Sequence, residues 1–313
     1  MGALFTKPFF PNPRASLRYP YPAAAWRDRD AFEVYLLDGG AFFFSNAFLG
    51  RGTGAAYLAA WDDGSLFAPW MDGARIEWDR FWHPEGSLPY QRPFEQHVWI
   101  NRLYFLLPLA QAYARTGQAR YARAWDSLFR DWVSAHPYHE PHRPGDESRF
   151  VWFDMQVTTR LLVLIHSAYL LSAGGALSVA AWKRLYSAIR QHAQFVHTEA
   201  AHDLSLTAGR GNHYQQKGTA LIYAGVLFPE WPEAEAWRTT GMGVLRDHAA
   251  REICSDGASV EASPSYSHFI ARLCLDPHVL LTENGYAPIP GWEACVRRQY
   301  AYLSRTCAPD GRT

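Results

Sequence analysis

The sequence lacks any long apolar run. No stretch of its 313 residues approaches the ~20 apolar residues that cross a bilayer as a helix. The N-terminal segment Met1–Pro13 holds several prolines and one lysine, and it has none of the apolar core of a signal peptide. The sequence therefore predicts no membrane span, and it shows no secretion signal.

An excess of charge of either sign is also missing. Thirty basic residues balance thirty acidic ones, and nothing in this balance suggests nucleic-acid binding, which needs clustered Lys and Arg. A neutral chain can still carry a local basic cleft. None of the four cysteines forms a Cys-x-x-Cys pair, and we expect buried free thiols rather than a disulfide framework. They are Cys254, Cys274, Cys295 and Cys307.

Signatures of two common enzyme classes are absent as well. The chain has no Gly-x-Ser-x-Gly elbow, the motif that would indicate a serine hydrolase. His136, His139 and His142 form a His-x-x-His-x-x-His run, but the prolines around them indicate a loop. Without a His-Glu-x-x-His helix or a cysteine partner, this run does not predict a metal site.

Aromatic residues, in contrast, are plentiful. Thirteen Trp, 17 Tyr and 18 Phe make up 15% of the chain. Flat aromatic faces pack against the apolar faces of sugar rings while their polar edges stay hydrogen-bonded. This composition points to carbohydrate, although a large aromatic core would use most of the same residues.

The apolar pattern predicts an all-α fold. Residues 1–90 are rich in Pro and Gly and predict an irregular, aromatic-rich lead-in with one or two short helices. From about residue 93 the pattern is helical, and apolar residues recur at helical spacing through Ala119–Ala135. Further helices are predicted over Arg160–Leu171, Ser178–Val196 with Ser178 as N-cap, Gly218–Phe228, Glu233–Ile253, Tyr266–Leu281 and Gly291–Ser304, the last with Pro290 in its first turn. Serial helical hairpins predict a toroid or solenoid over residues 91–313.

Two polar segments stand out between these helices. In Gly211–Gln216 an amide, an imidazole and further polar side chains precede an apolar helix, and such groups can donate to a carboxylate or take a proton. A helix N-cap at Asn212 followed by an exposed turn is the alternative. In Glu261–His268 a carboxylate, Tyr266 and His268 lie close together after an Asp-Gly turn, and a packed tyrosine at a capped helix start is the alternative.

A third candidate lies earlier in the chain. Arg160 stands in an apolar helix, after Trp152 and Asp154. A guanidinium among apolar neighbours needs a carboxylate partner, from the substrate or from the protein. A structural pair between Asp154 and Arg160 is the simpler account.

These segments together resemble a known family. The order Arg160, then Gly211-Asn-His213, then Asp256-Gly257 and Glu261-Ala-Ser-Pro-Ser-Tyr266-Ser-His268 is similar to the N-terminal domain of the heparinase II/III-like polysaccharide lyases. The resemblance covers roughly residues 90–313. It implies an incomplete α/α toroid, which the family follows with a β-sandwich domain.

The resemblance also implies a chemistry. These enzymes remove the C5 proton of a uronic acid and expel the sugar linked at C4, in a β-elimination. By this analogy Asn212 neutralises the substrate carboxylate, alone or with Arg160. Tyr266 serves as base, acid or both, and His213 is either a second base or an aid to the neutralisation. The substrate-binding residues predicted beside these three are Arg160, Trp152, Gln216, Glu261 and His268.

The chain departs from the family in one respect. The sequence ends shortly after Asp310-Gly311, so the β domain, with the further histidine and the structural metal that the family carries there, is expected to be absent. No cofactor is predicted for this chain, and its oligomeric state is left open. Family resemblance implies a periplasmic or secreted protein. Lysine and arginine are not concentrated, which favours a bacterial exopolysaccharide over highly sulfated heparin.

Two other functions stay open at this point. A glycoside hydrolase on the same helical toroid would need two opposed carboxylates, for which Asp256 and Glu261 are the candidates. A non-catalytic polysaccharide-binding domain would need neither a base nor an acid.

Overall fold

The computed structural model describes residues 54–68, 71–79, 100–138, 151–172, 174–207 and 210–306, and it is dominated by helices in these ranges. The helices are α1 Gly54–Asp62, α2 Leu106–Thr116, α3 Ala119–Ala135, α4 Asp154–Leu171, α5 Val179–Ser205, α6 Gly211–Leu227, α7 Ala234–Glu252, α8 Pro264–Glu283 and α9 Trp292–Thr306. Within the same ranges the one sheet is an antiparallel hairpin of β1 Met71–Asp72 and β2 Arg75–Ile76.

Helices with strong apolar periodicity were predicted well. The predicted range Ala119–Ala135 is the range of α3. Helix α5 begins directly after Ser178, whose hydroxyl accepts the backbone N–H of Ala181 at 3.1 Å, so the predicted N-cap is confirmed. Pro264 opens α8 as expected, because proline lacks only an N–H that the first helical turn does not use.

Three helix starts were predicted wrongly. Helix α4 begins at Asp154 rather than Arg160. Helix α6 begins at Gly211 rather than Gly218, so the polar segment lies in its first turns, and Asn212 is inside the helix rather than its N-cap. The N-cap position belongs to Arg210. Helix α9 begins at Trp292, so Pro290 precedes it. Polar first turns carry no apolar period, which is why the pattern missed the start of α6.

The first compact unit of the described chain ends at Ile189. Within it, α2 packs against both α3 and α4, and α2 and α3 form a hairpin closed by Gly117 in the left-handed conformation. The buried face of α3 contributes Trp125, Phe129 and Trp132 to the core. Apolar burial of this kind is the main favourable term in the stability of such a unit.

The second compact unit runs from Arg190 through α9. Helix α6 packs against α7 and α8, and α8 packs against α9. Glycines let α6 and α7 approach closely, because a Cβ on Gly241 would lie 2.7 Å from the carbonyl oxygen of Gly218. The polar first turn of α6 is therefore held against two neighbouring helices.

The cysteine prediction holds in part. Cys274 and Cys295 are free and buried, as expected, whereas Cys254 is free but exposed. Cys307 lies outside the described residues, as do residues 1–53, most of the predicted lead-in. Helix α1 and the β hairpin belong to that lead-in. Across the described ranges, none of the helices combines the length and apolar character needed to cross a membrane.

Candidate active site

The first turn of α6 is capped by two carboxylates from elsewhere in the second unit. The backbone N–H of Gly211 donates to Oε2 of Glu252 at 3.2 Å, and the N–H of Asn212 donates to Oε1 of Glu261 at 2.8 Å. The first N–H groups of a helix have no partner within it, and they carry the positive end of its dipole. Two anions therefore stabilise this helix start.

The Asn212 side chain is held by the same carboxylate. Its Nδ2 lies 2.9 Å from Oε1 and 3.1 Å from Oε2 of Glu261. A carboxylate only accepts hydrogen bonds, so it fixes which end of the Asn212 amide faces it. Asn212 and Glu261 are both half-buried. The two polar segments singled out in the sequence thus meet at this pair.

The loop that carries Glu261 is tightly built. Gly257 has φ +97°, and a Cβ there would lie 2.2 Å from the carbonyl oxygen of Arg298, so only glycine fits at this turn. Asp256 closes the turn by accepting the N–H of Ala258. The Ser259 hydroxyl then accepts the N–H of Glu261 at 3.2 Å. This loop presents the Glu261 carboxylate to α6 as a fixed group.

Tyr266 lies in the first turn of α8 and is half-buried. Helix α8 faces α6 through Ile270, whose carbonyl oxygen accepts Nε2 of Gln215 at 3.0 Å. Residues four apart share a helix face, so Tyr266 lies one turn before Ile270 on the side of α8 that faces α6. His268, two residues further, is also half-buried but belongs to a different face of the helix.

The other residues of the polar segment in α6 differ in exposure. His213 is exposed, whereas Gln216 is 5% exposed and buried. Tyr214 is also buried, and its hydroxyl donates to Oδ2 of Asp247 at 3.0 Å. Burial, together with this contact to a carboxylate, raises the pKa of Tyr214. Its phenol therefore stays protonated and is a poor candidate for a base.

Sequence reasoning missed several charged partners of this helix. Glu252 caps Gly211, and Lys217 is buried between Glu199 and Asp203, with Nζ–oxygen distances of 3.3 and 3.0 Å. These carboxylates come from the end of α5 and the end of α7. Glu252 is 41 residues from Gly211 in the sequence, and Glu199 and Asp203 lie in the preceding helix. Their contacts with α6 depend on how the helices pack, which no local pattern shows.

Arg160 and Trp152 belong to the first unit, where both are buried. The guanidinium of Arg160 is fully buried and donates to the carbonyl oxygens of Asn101 at 2.8 Å and Val151 at 2.6 Å. It also lies over the rings of Trp132 and Trp152. Burial lowers the pKa of Arg160, while the carbonyls and ring faces favour its charged form. We therefore assign Arg160 a structural part in this unit.

The histidine run considered for zinc is described only at His136. Its Nε2 lies 3.0 Å from Oδ1 of Asp79, and its ring stacks on Trp132. His139 and His142 lie outside the described residues. In the part of the chain that the structure describes, no cluster of three or more His, Cys, Asp or Glu side chains could hold a metal ion.

The hydrolase alternative finds little support in this geometry. Glu261 already accepts three hydrogen bonds from Asn212, and Asp256 holds its own turn. A retaining or inverting hydrolase needs one carboxyl group that can protonate the leaving group. Both oxygens of Glu261 are occupied by Asn212, so this carboxyl group is poorly placed for that part.

The fold and the site define an all-α protein of the α/α-toroid class. Residues 55–310 match the family described as Heparinase II/III N-terminus, and the chain belongs to this family. The resemblance inferred from the sequence is therefore confirmed, and so is the predicted fold class.

Similar proteins and structures agree with this assignment. Heparin-sulfate lyase of Bacteroides stercoris is 26% identical over 208 residues, which are 62% of this chain and 29% of that protein. Heparin-sulfate lyase of Pedobacter heparinus is 28% identical over 191 residues, or 58% of this chain and 28% of that protein. The crystal structure of Heparinase III superposes with a TM-score of 0.67 and 20% identity, covering 98% of this chain and 42% of that one.

These matches cover only part of the relatives. The chain aligns with less than a third of the length of either curated lyase. Family and fold follow from the comparisons, while activity and substrate are matters of proposal.

Proposed function

We propose that this chain is the helical part of a polysaccharide lyase that cleaves a uronic-acid-containing polysaccharide by β-elimination. Its family and the heparin-sulfate lyases to which it is similar support the reaction class. The observation that carries the proposal is the Asn212 amide, held by Glu261 at the start of α6.

The reaction has one difficult step. A base takes the proton from C5 of the uronate, and the electrons of the C5–H bond form a C4–C5 double bond as the C4–O bond breaks. The leaving oxygen keeps the electron pair of the broken C4–O bond and takes up a proton. Charge builds on the uronate carboxylate in the transition state, so hydrogen-bond donors placed there in advance lower the barrier.

Asn212 is the donor that we assign to the carboxylate. Nδ2 carries two hydrogens, and one hydrogen shared between the two oxygens of Glu261 leaves the other for the substrate. Because Glu261 also accepts the backbone N–H of Asn212, the side chain is fixed at both ends. A donor that does not have to reorganise during the reaction lowers the barrier most.

Proton transfer is assigned to Tyr266 and His213. His213 is exposed at the start of α6, and an imidazole can exchange a proton near physiological pH. Tyr266 lies on the side of α8 that faces α6, and a phenol can act as acid or base at such a site. Three further residues are proposed to lie around these groups, namely Gln216, Glu261 and His268. Glu261 acts by holding the Asn212 side chain.

The proposed ligand is an acidic polysaccharide, and family membership favours a periplasmic or secreted location. Heparan sulfate and a less charged bacterial exopolysaccharide are both included as substrates to be tested. Arg160 and Trp152 are left out of the proposed substrate contacts because the first unit buries them.

The test is a cleavage assay with a panel of uronate polysaccharides. A lyase produces a conjugated, ultraviolet-absorbing sugar end, and we expect this absorbance to rise with time. New reducing ends without absorbance would establish a hydrolase instead. Binding without either product would establish a non-catalytic domain.

Variants then locate the chemistry. Asn212→Ala should lower kcat by roughly 10²–10³, as for the loss of one preorganised donor, and Tyr266→Phe should lower it by roughly 10²–10⁴. Tyr302→Phe on α9 is the matched control and should keep full activity. Full activity in Tyr266→Phe would overturn the role given to that residue.

A further inference from the structure

A cavity in the first unit is lined by none of the residues proposed for catalysis. Its volume is about 590 Å³, which is within the range of small-ligand sites. Its walls come from the end of α1, the β hairpin and one side of α3. All of its lining residues precede Ile189, whereas Asn212, His213 and Tyr266 follow it.

The wall formed by α3 is polar for a simple geometric reason. Ser127, Arg130, Asp131 and Ser134 line the cavity, and their spacing places them on one face of the helix. The opposite face of α3 is the one buried in the core. This helix therefore offers hydroxyl, guanidinium and carboxylate groups to the cavity along two of its turns.

Packing and one hydrogen bond hold part of the cavity lining in place. Phe67 lines the cavity and packs edge-on against Trp78 and Phe105. Nε1 of Trp78, just after the hairpin, donates to Oδ2 of Asp131 at 2.9 Å. That bond ties the hairpin exit to α3, so the cavity is lined by groups held in place by packing.

Trp61 provides an aromatic face. It lines the cavity and is half-buried. Among the described residues its indole makes no ring contact and no side-chain hydrogen bond, unlike Trp78, Trp125 and Trp132 of the same unit. An indole that is held in a cavity wall without a stacking partner can take the apolar face of a sugar ring.

Two arginines give the cavity its charge preference. Arg75 and Arg130 are exposed and line it. Within residues 54–68, 71–79 and 100–138, neither guanidinium has an ion-pair or hydrogen-bond partner, although Asp72 is opposite Arg75 in the hairpin. Asp131 is the one carboxylate among the described lining residues, and it already accepts from Trp78. Free guanidinium groups bind carboxylates and sulfates in a two-bonded arrangement.

We infer that this cavity is a second carbohydrate-binding site, which takes an acidic sugar unit with Trp61 beneath its ring and Arg75 and Arg130 on its anionic group. The inference rests on the acidic polysaccharide proposed above as the ligand class. It adds a point of attachment in the first unit, which would hold a long chain independently of the step that cleaves it.

Methionine methyl signals provide a local test. The chain has four methionines, of which Met71 lines the cavity, Met155 is buried in the first unit, and Met242 lies in α7. With methyl-labelled methionine, a heparan sulfate tetrasaccharide should shift the Met71 signal saturably. Met155 and Met242 should respond less. Met71→Leu assigns the signal, and an Asn212→Ala background prevents loss of the probe by cleavage.

Two variants and a neutral probe complete the test. Arg75→Gln/Arg130→Gln should weaken the Met71 response at least about tenfold, as expected for lost charge-assisted hydrogen bonds. Arg123→Gln, an exposed arginine of α3 outside the lining, should leave it unchanged. No shift of Met71, an equal shift with cellotetraose, or equal weakening by Arg123→Gln would overturn the inference. A Met71 shift in the Asn212→Ala background, together with no cleavage of uronate polysaccharides by the wild-type chain, would keep this site and reject the proposed lyase activity.

Discussion

Arg160 in the first unit and Asn212 in the second show two uses of a polar side chain near the start of a helix. Arg160 is fully buried and donates to carbonyl oxygens of two preceding loops. Asn212 is half-buried and is held by one loop carboxylate. The first arrangement consumes the hydrogen-bonding capacity of the side chain within the protein. The second orients a side chain and leaves it accessible.

Removing the buried guanidinium of Arg160 tests this comparison with the largest expected effect. Arg160→Met keeps most of the volume but leaves two buried carbonyl oxygens, of Asn101 and Val151, without their donors. We expect a loss of about 3–5 kcal/mol in the free energy of unfolding, measured by denaturant titration. Arg184→Met, which breaks a partly exposed pair with Asp126, should cost less than about 1 kcal/mol. Equal losses would mean that burial of Arg160 does not matter.

Buried histidines allow the two units to be compared by pH. Burial lowers the pKa of His166 in the first unit to about 3 and that of His248 in the second to about 4. Each is therefore neutral in the folded state and takes a proton more readily when unfolded. Their stabilising contribution is complete above pH 6.5 and is lost as the pH falls below it.

His248→Leu measures this effect in the second unit. Below pH 6.5 the wild-type protein should lose stability faster than the variant, by up to about 1.4 kcal/mol per pH unit. Denaturant titrations at pH 7.5, 6 and 5 would give the slope. His202→Leu, an exposed histidine of α5, should follow the wild-type slope. If His248→Leu followed it too, its imidazole would have to be protonated or accessible in the fold.

The smallest expected effect is on the stability of the candidate site itself. Asn212→Ala should cost about 1 kcal/mol, because water can replace the Nδ2 donor at a half-buried carboxylate. Asn212→Asp should cost more, since it places a second carboxylate against Glu261. Thermal unfolding of both variants would rank them. An aspartate variant as stable as the wild type would contradict the contact with Glu261.

The sequence predicted the fold where burial leaves a periodic pattern. Helix α3 was predicted to the residue because its apolar stripe runs through its full length. The start of α6 was missed because its first turn is stabilised by Glu252 and Glu261, which are not adjacent to it in the chain. Capping by distant carboxylates is a tertiary effect that no local pattern contains.

The candidate site was predicted in part for the same reason. The segments around Asn212 and Tyr266 were found because polar residues beside apolar helices are unusual. That Glu261 binds Asn212 depends on how α6 meets the loop before α8. Likewise, only the structure reveals that Trp61 has no ring partner among the described residues, whereas Trp78, Trp125 and Trp132 have partners.

The contact between Glu261 and Asn212 has a consequence for substitutions at position 261. A carboxylate offers oxygen on both sides, so it accepts only one rotation of the Asn212 amide, with nitrogen towards it. Glutamine has nearly the same shape, but its amide can pair with either rotation of the Asn212 amide, so this substitution lets Asn212 present oxygen outward. The residue at position 261 therefore determines whether the Asn212 side chain presents a donor or an acceptor to an anion at the start of α6, without contacting that anion.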